Sequence, residues 1–568
     1  MPSGYQRADH LRPKQRAAVA CVAIGAALAL LLGSAGCGPG GPITDGLNAD
    51  VKRPRPGIVL FICDGIGADT AERGCREGWL PNIRKRFVEG GTCASRAATA
   101  IPAITYGAVA TFLTGTSPGT HTVVGNRWFD PDRAFFRNYA TVEDYRDIDL
   151  DCTMPTIYQL IQPMTSVNIQ TAQAKGITYD IPNWMTSGIL WFGGNYTAVD
   201  QLTASTIPEV VWWTNGHKQW PAILTCYFPG ADTVGHRHGP GSAEYHDAVK
   251  HLDHQVGRVC DWLESQGLLE STVLVLVSDH GMVDVRPDGF IDLMSLVRDH
   301  WGRRATDYTL QEGPESRRRE YFDRFDTVVA YQNGRCAFLY LRSPTGWSSP
   351  AAPADVDAIM NRPALGFQLW NIPGVDLVSC LADENTAVVC SERGMARILR
   401  RGDGTQSEYA YLPEPNDVLG YLDDPALAAF VRSGYHPARD WLRAASEQQL
   451  PEVVPHLVPL LHDHRAGQVI AFAKPGYSFV HELGGHGGLR RTEMLIPFML
   501  AGPGIQRGGR IEIARSVDLV PTLLTFLGMD PGKYEWLEGV ALNPECQEKT
   551  AGARDLIEPA GNATVTAR

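Results

Sequence analysis

The sequence predicts an α/β fold, a mostly parallel sheet sandwiched by helices and carrying an inserted α+β cap. Residues 58–63, 166–171, 223–228 and 273–277 are short, near-continuous apolar runs. Strands buried on both faces must look like this. Residues 106–114 and 242–266 lie among them with helical spacing, so strands alternate with helices. Asp64, Asp232 and Asp279 fall just past apolar runs, where open parallel sheets gather ligands at the carboxyl ends of strands.

At 568 residues the chain exceeds what one simple core holds, so an insertion or a second domain is expected. Residues 1–36 read as a signal peptide. Arg7, Arg12, Lys14 and Arg16 precede an apolar run at 17–32, and Gly33-Ser-Ala-Gly36-Cys37 follows it. That run falls short of the ~20 apolar residues a membrane span needs. Small residues before Cys37 resemble a bacterial lipoprotein signal with Cys37 as the lipidated residue, although Ser34 stands where Leu is usual. The alternative is ordinary cleavage nearby and a soluble product. Either way the expected location is exported, periplasmic or otherwise extracytoplasmic, with Cys37 the candidate point of membrane attachment.

Residues 37–55 are rich in Gly, Pro and Asp and read as a flexible tether. A catalytic core then spans 56–290. Residues 291–465 change character, with a hairpin pattern at 396–412, and read as the insertion. The core resumes over 466–544 with strands at 468–473 and 496–500, and 545–568 is a polar tail. Twelve cysteines suit an oxidising compartment. Cys63 and Cys226 sit in apolar runs and read as buried thiols. Cys380 and Cys390 flank Asp383-Glu-Asn385 in a hairpin that a disulfide could staple. The formal charge of −12, or −15 without a leader that holds four basic residues and one acidic one, repels phosphate polymers and argues against nucleic-acid binding. Trp184, Trp191, Trp212, Trp213 and Trp220 crowd one segment and read as core or cap packing rather than a stacking site.

The chemistry lies in six ligand-type side chains and one hydroxyl. Asp279 and His280 are adjacent, placing an oxygen and a nitrogen ligand on one loop. Asp232 and His236, four apart, share a face of a helical turn. Asp64 ends the first apolar run, and His486 stands between two glycines. Taken singly, each is more often a turn, cap or surface residue. Together they supply three carboxylates and three imidazoles, enough for two divalent ions around an alcohol nucleophile. Thr105 opens the 106–114 helical stretch, so its alkoxide would be stabilised by the helix N-terminus and an adjacent cation. The backbone N–H of Tyr106 is placed to meet a phosphate oxygen. For an isolated Thr, a plain N-cap is the commoner role.

Asp232-Thr-Val-Gly-His-Arg-His-Gly-Pro240, Ser278-Asp-His-Gly-Met282, Gly485-His-Gly487 and the segment Thr105–Gly115 resemble the alkaline phosphatase superfamily, in its type I phosphodiesterase/nucleotide pyrophosphatase branch. The resemblance covers residues 56–290 and 466–530. It implies an alkaline phosphatase-like fold and two zinc ions. Asp232, His236 and His486 would hold one, and Asp64, Asp279, His280 and the Thr105 oxygen the other. It implies a phosphothreonine formed on Thr105, with Asn126 hydrogen-bonding a non-bridging phosphoryl oxygen of a small phosphate ester.

Tyr106-Gly-Ala departs from the aromatic-Pro-Asn of many relatives. Ala174-Lys175-Gly176 keeps the Lys, but lacks the Arg, of the clamp found in phosphomonoesterases. Lys175 is therefore a candidate phosphate contact, and the missing charge favours phosphodiesters or pyrophosphates over monoesters. A monoesterase and a vestigial binding protein are the competing readings. A sulfatase is disfavoured, because Thr105 cannot serve as the modified Cys or Ser those enzymes need.

Overall fold

The run Gly57-Ile-Val-Leu-Phe-Ile-Cys63 forms a strand inside an eight-stranded sheet, with Thr272–Val277 on one side and Ile223–Phe228 on the other, both parallel to it. This computed structural model describes residues 57–543 apart from 142–143, 182–189, 191–193, 216–219, 309–313, 350, 353–355, 358–360 and 363–366. The signal peptide, the tether, Cys37, the tail, Trp184 and Trp191 all lie outside the described residues.

Across the sheet the strands run Gly509–Arg515, Gly91–Ala98, Phe498–Ala501, Thr272–Val277, Gly57–Cys63, Ile223–Phe228, Ser166–Ile169 and Tyr179–Ile181. Phe498–Ala501 alone opposes its neighbours. The pleat sends alternate side chains to opposite faces. Val59, Phe61 and Cys63 join a core that includes Ala204, Val249, Val256 and Leu263 from helices Tyr196–Asn215 and Ala243–Ser265. Ile58, Leu60 and Ile62 join another that includes Phe112 and Leu523 from helices Thr105–Thr114 and Leu519–Phe526. The chain is thus an α/β protein whose mostly parallel sheet is sandwiched by helices, as the alternation of runs required.

A second sheet of nine strands, almost wholly antiparallel, is inserted between Thr272–Val277 and Phe498–Ala501. One expectation is corrected here. The strand at Val469–Ala473 does not resume the main sheet but pairs with Cys336–Leu341 and Val375–Asp383 inside the inserted one. Its unbroken apolar character arises because both faces of that sheet are covered. Helix Val453–His462 packs on one face and helix Leu293–Trp301 on the other. The hairpin of Val375–Asp383 and Thr386–Ser391 forms as expected, but Cys380 and Cys390 are free thiols there, with Cys380 facing Val388. Cys63 and Cys226 are buried thiols.

Phe61 is fully buried between Phe87 and Phe228, with ring centroids 6.3 and 6.2 Å away, directly beneath the loop that carries Asp64. Phe61→Ala should lower unfolding free energy by about 3–5 kcal/mol in a denaturant titration, because the rigid sheet and helices cannot collapse into the void.

Candidate active site

Three strand ends and one loop converge at the carboxyl edge of the main sheet. Asp64 follows Gly57–Cys63, and Asp279 with His280 follow Thr272–Val277. Asp232 and His236 lie on helix Gly230–His238, which follows Ile223–Phe228. His486 comes from the loop after the short strand Gly484–Gly485. Two contacts tie the first two loops together. Gly65 N donates to Asp279 Oδ1 at 3.1 Å, and Ile66 N donates to Ser278 Oγ at 3.1 Å. Gly65 is needed for this approach. Its φ is +77°, and a Cβ there would lie 2.7 Å from the Asp232 Cα.

The three histidines, Asp64 and Asp279 are each held by an outer atom. His280 Nδ1 donates to Gly281 O at 3.2 Å and His486 Nδ1 to Ala103 O at 2.9 Å. His236 Nδ1 faces both Gly484 O and Glu482 Oε2 at 2.9 Å. Pinning Nδ1 to an acceptor turns Nε2 inward, as metal-ligating histidines require. Asp279 Oδ1 accepts from Gly65 N and His280 N, and Asp64 Oδ2 accepts from the Tyr227 hydroxyl. The opposite oxygens, Asp64 Oδ1 and Asp279 Oδ2, and with them Asp232 Oδ1, are buried without a hydrogen-bond partner.

These orphaned oxygens face the inward nitrogens. His280 Nε2 lies 3.4 Å from both Asp64 Oδ1 and Asp279 Oδ2, and 3.3 Å from Thr105 Oγ1. Asp232 Oδ1 lies 3.4 Å from the Nε2 atoms of both His236 and His486, which are 3.1 Å apart. A tetrahedral ion with ligands at about 2.0–2.1 Å holds them about 3.3–3.4 Å from one another. The donor set therefore fits two adjacent divalent ions. The two groups share an edge, since Asp232, His280 and His486 also converge and the His280 and His486 rings stack at 3.5 Å.

Thr105 is buried at the first position of helix Thr105–Thr114. Tyr106, by contrast, does not leave its N–H open. It donates to Asn126 Oδ1 at 3.1 Å, because a buried helix N-terminal amide needs an acceptor and Asn126 supplies one. With its oxygen so engaged, the amide N–H groups are the donors that the Asn126 side chain still has to offer. Lys175 is not brought into this group. Its ammonium donates to Cys152 O at 2.8 Å and its backbone N–H to Asp149 Oδ1 at 3.0 Å, since the buried end of the short helix Ile148–Asp151 needs donors for its carbonyl and carboxylate oxygens. Trp220 packs on Trp262, centroids 5.8 Å apart.

Sequence reading missed Tyr227, Glu482, Gln332 and Asn333. Tyr227 carried a signal, a hydroxyl near the end of a fully buried strand. Glu482, four residues before His486, carried a weaker one. Gln332 and Asn333 carried none, since their strand belongs to the inserted sheet.

The matches to known proteins point the same way. Residues 58–340 match the type I phosphodiesterase / nucleotide pyrophosphatase family. The chain belongs to that family of hydrolases. The match contains every candidate ligand except His486. A Schizosaccharomyces pombe protein described as an uncharacterized pyrophosphatase/phosphodiesterase is 22% identical over 60% of this chain and 71% of its own length. Venom phosphodiesterase 2 of Crotalus adamanteus is 26% identical over 49% of this chain but only 33% of itself. Rat ectonucleotide pyrophosphatase/phosphodiesterase family member 1 is 26% identical over 40% of this chain and 24% of itself. The chain therefore spans a third or less of those two animal relatives. Murine ectonucleotide pyrophosphatase/phosphodiesterase 5 shares the fold, with a TM-score of 0.51 at 15% identity over 83% of this chain and 95% of that one.

Burial dominates the electrostatics. It raises Asp64 well above the carboxylate range, with Asp279 and Asp232 adding to the effect, and it raises Asp279 to about 6. Burial also raises Asp232 against the pull of His236 and His280. It lowers His280 to about 4 and His486 well below the usual imidazole value. For His236, burial pulls downward, but the Asp232 and Glu482 carboxylates outweigh it and bring the ring to about 9. Without countercharge the centre thus holds protons at neutral pH, and a cation must displace them. Zinc binding to the metal-free protein at pH 7 should release protons, and affinity should rise as pH increases from about 6 to 9. Calorimetry in buffers of different ionisation enthalpy would measure both.

Proposed function

We propose that this chain is a two-zinc hydrolase that cleaves phosphodiester or pyrophosphate bonds through a phosphothreonine on Thr105, outside the cytoplasm and anchored through Cys37. The observation that carries the reading is the place of Thr105 Oγ1. It sits at a helix N-terminus, 3.3 Å from a histidine nitrogen that also faces two unpartnered carboxylate oxygens. When bound, the divalent ions would lower the pKa of that hydroxyl and offset charge developing on the phosphoryl oxygens. Thr105 Oγ would attack phosphorus, the P–O bond to the leaving group would break, and the departing oxygen would take up a proton. Asn126 would present its amide N–H to a non-bridging oxygen, oriented by the Tyr106 N–H that holds its own oxygen. Water would then attack the phosphothreonine, returning the Thr105 hydroxyl and releasing the monoester.

The competing monoesterase reading rests on Lys175 as a clamp for a dianion, and the contact of that ammonium with Cys152 disfavours it. A vestigial site is disfavoured by the survival of all the inward-facing atoms in one place. Among the described residues no helix is long and apolar enough to cross a bilayer, and Cys37 is the proposed point of attachment. Cys37→Ala should move the protein from the membrane to the soluble fraction.

The decisive measurement is parallel turnover of bis(p-nitrophenyl) phosphate and p-nitrophenyl phosphate, with and without chelator. The diester should be cleaved faster, and both activities should vanish with the metal. Faster monoester cleavage would reverse the substrate assignment. Thr105→Ala should lower kcat by about a thousandfold or more, the scale on which lost nucleophiles act. Lys175→Ala should leave the diester-to-monoester ratio unchanged.

A further inference from the structure

The inserted sheet reaches the centre through the turn between strands Thr327–Gln332 and Cys336–Leu341, and every residue of that turn is fastened to a different part of the site. Gln332 Oε1 accepts from the backbone N–H of Asn126 at 2.8 Å and of Arg127 at 3.2 Å, while its amide donates to Arg127 O. Gly334 forms a backbone bridge with His486. Arg335 is fully buried and pairs with Glu493 at 2.7 and 3.0 Å, its remaining donors reaching Ala473, Lys474 and Tyr477 carbonyls. Glu493 in turn accepts from Gly488 N at 2.8 Å, two residues past His486.

Between these anchors sits Asn333, a non-glycine residue at φ +42°. Left-handed backbone is uncommon outside glycine, and it persists where the surroundings impose it. The anchored turn aims the Asn333 side chain at the centre. Its Nδ2 lies 3.1 Å from His486 Nε2, the nitrogen that faces Asp232 and His236. Because His486 Nδ1 already donates to Ala103 O, Nε2 is the lone-pair side of the ring. An ion there takes that lone pair and leaves the Asn333 N–H groups beside it in need of an oxygen acceptor.

We propose that Asn333 is a further substrate-contacting residue, donating a side-chain N–H to a phosphoryl oxygen of the ester bound beside His486, opposite the oxygen met by Asn126. The inference rests on the two-metal reading above and adds a specificity element from the inserted sheet. Gln332 couples the two amides, since it holds the backbone of Asn126 while preceding Asn333. Two neutral donors complement a phosphoryl group that carries a single negative charge.

The test uses the zinc-loaded full chain and inorganic phosphate as probe, with phosphate affinity by calorimetry and zinc content by elemental analysis. Asn333→Gly removes the amide while suiting the left-handed backbone, so it separates the contact from the fold. Phosphate should bind about tenfold more weakly, the loss expected for one hydrogen bond to a charged acceptor, with zinc content unchanged. Asn333→Asp, of the same size but negatively charged, should weaken phosphate further while retaining zinc. Unchanged phosphate affinity in Asn333→Gly would overturn the proposal. So would loss of zinc in that variant, which would mean that Asn333 acts only by holding His486. Failure of the unaltered protein to bind zinc or phosphate would overturn the two-metal reading itself, and the two failures are thereby distinguished.

Discussion

Three carboxylates and three imidazoles are buried together here with their inward atoms facing one another, and this one constraint organises the rest of the molecule. Removing a charged group from water costs several kcal/mol unless it is paired. The site meets part of that demand through its outer atoms. Backbone carbonyls take the Nδ1 protons of His280 and His486, backbone amides hold Asp279 Oδ1, and Tyr227 caps Asp64. What remains unmet is concentrated in Asp64 Oδ1, Asp232 Oδ1 and Asp279 Oδ2. A scaffold that holds the outward atoms of the three histidines, Asp64 and Asp279 and leaves those three oxygens facing three nitrogens is pre-organised for cations.

That precision needs rigid supports, and they come from both sheets. The parallel strands fix Asp64 and Asp279 by their register, because Gly57–Cys63 and Thr272–Val277 pair residue by residue up to the last turn. His486 has no such strand beneath it. Its loop is held by the buried Arg335–Glu493 pair, by Gly334 and by Ala103. A fully buried ion pair is a poor source of net stability, and its value here lies in geometry. Arg335 fixes the carboxylate that orders the backbone after His486, and at the same time it closes the strand ends of the inserted sheet. The inserted sheet is therefore continuous with the site and not a detachable cover, which explains why one hydrophobic core joins Val123, Val124 and Trp128, on either side of Asn126, to Phe338, Phe472 and Leu457.

How far the sequence could be read follows from the range of each interaction. The runs at 58–63, 223–228 and 273–277 were legible because burial on both faces forces a local composition. Helix Ala243–Ser265 was legible because the residues it buries, among them Tyr245, Val249, Leu252, Val256 and Val259, recur at helical spacing. The ligand-type residues were legible because metal chemistry restricts side-chain type at strand ends. Val469–Ala473 was misplaced because a buried strand of an antiparallel sheet covered on both faces has the same apolar signature as a parallel one. Tyr106 and Lys175 were misread for a different reason. Their neighbours along the chain matched a phosphate-binding pattern, but the groups that claim their donors, Asn126 Oδ1 and Cys152 O, are set by tertiary contacts. Gln332, Asn333 and Glu482 stayed silent because their work is to hold or face other residues, which leaves no periodicity and no motif.

Charge sharpens the question of substrate. The chain is acidic overall, so long-range attraction does not recruit anions, and selectivity must come from contacts at the centre. A second negative charge on phosphorus is favoured where a cationic side chain meets it. Lys175, the candidate clamp, and Arg335, buried beside the His486 loop, direct their donors at backbone carbonyls or at Glu493. The donors proposed in their place are amide nitrogens, of Asn126 on the Thr105 side and of Asn333 on the His486 side. Neutral donors pay no penalty when the acceptor carries only one charge, and they gain little extra from a dianion. A phosphoryl group esterified on two sides matches that balance. The proposed diester preference thus rests on the charge of these donors together with the family resemblance that assigns Asn126 its role.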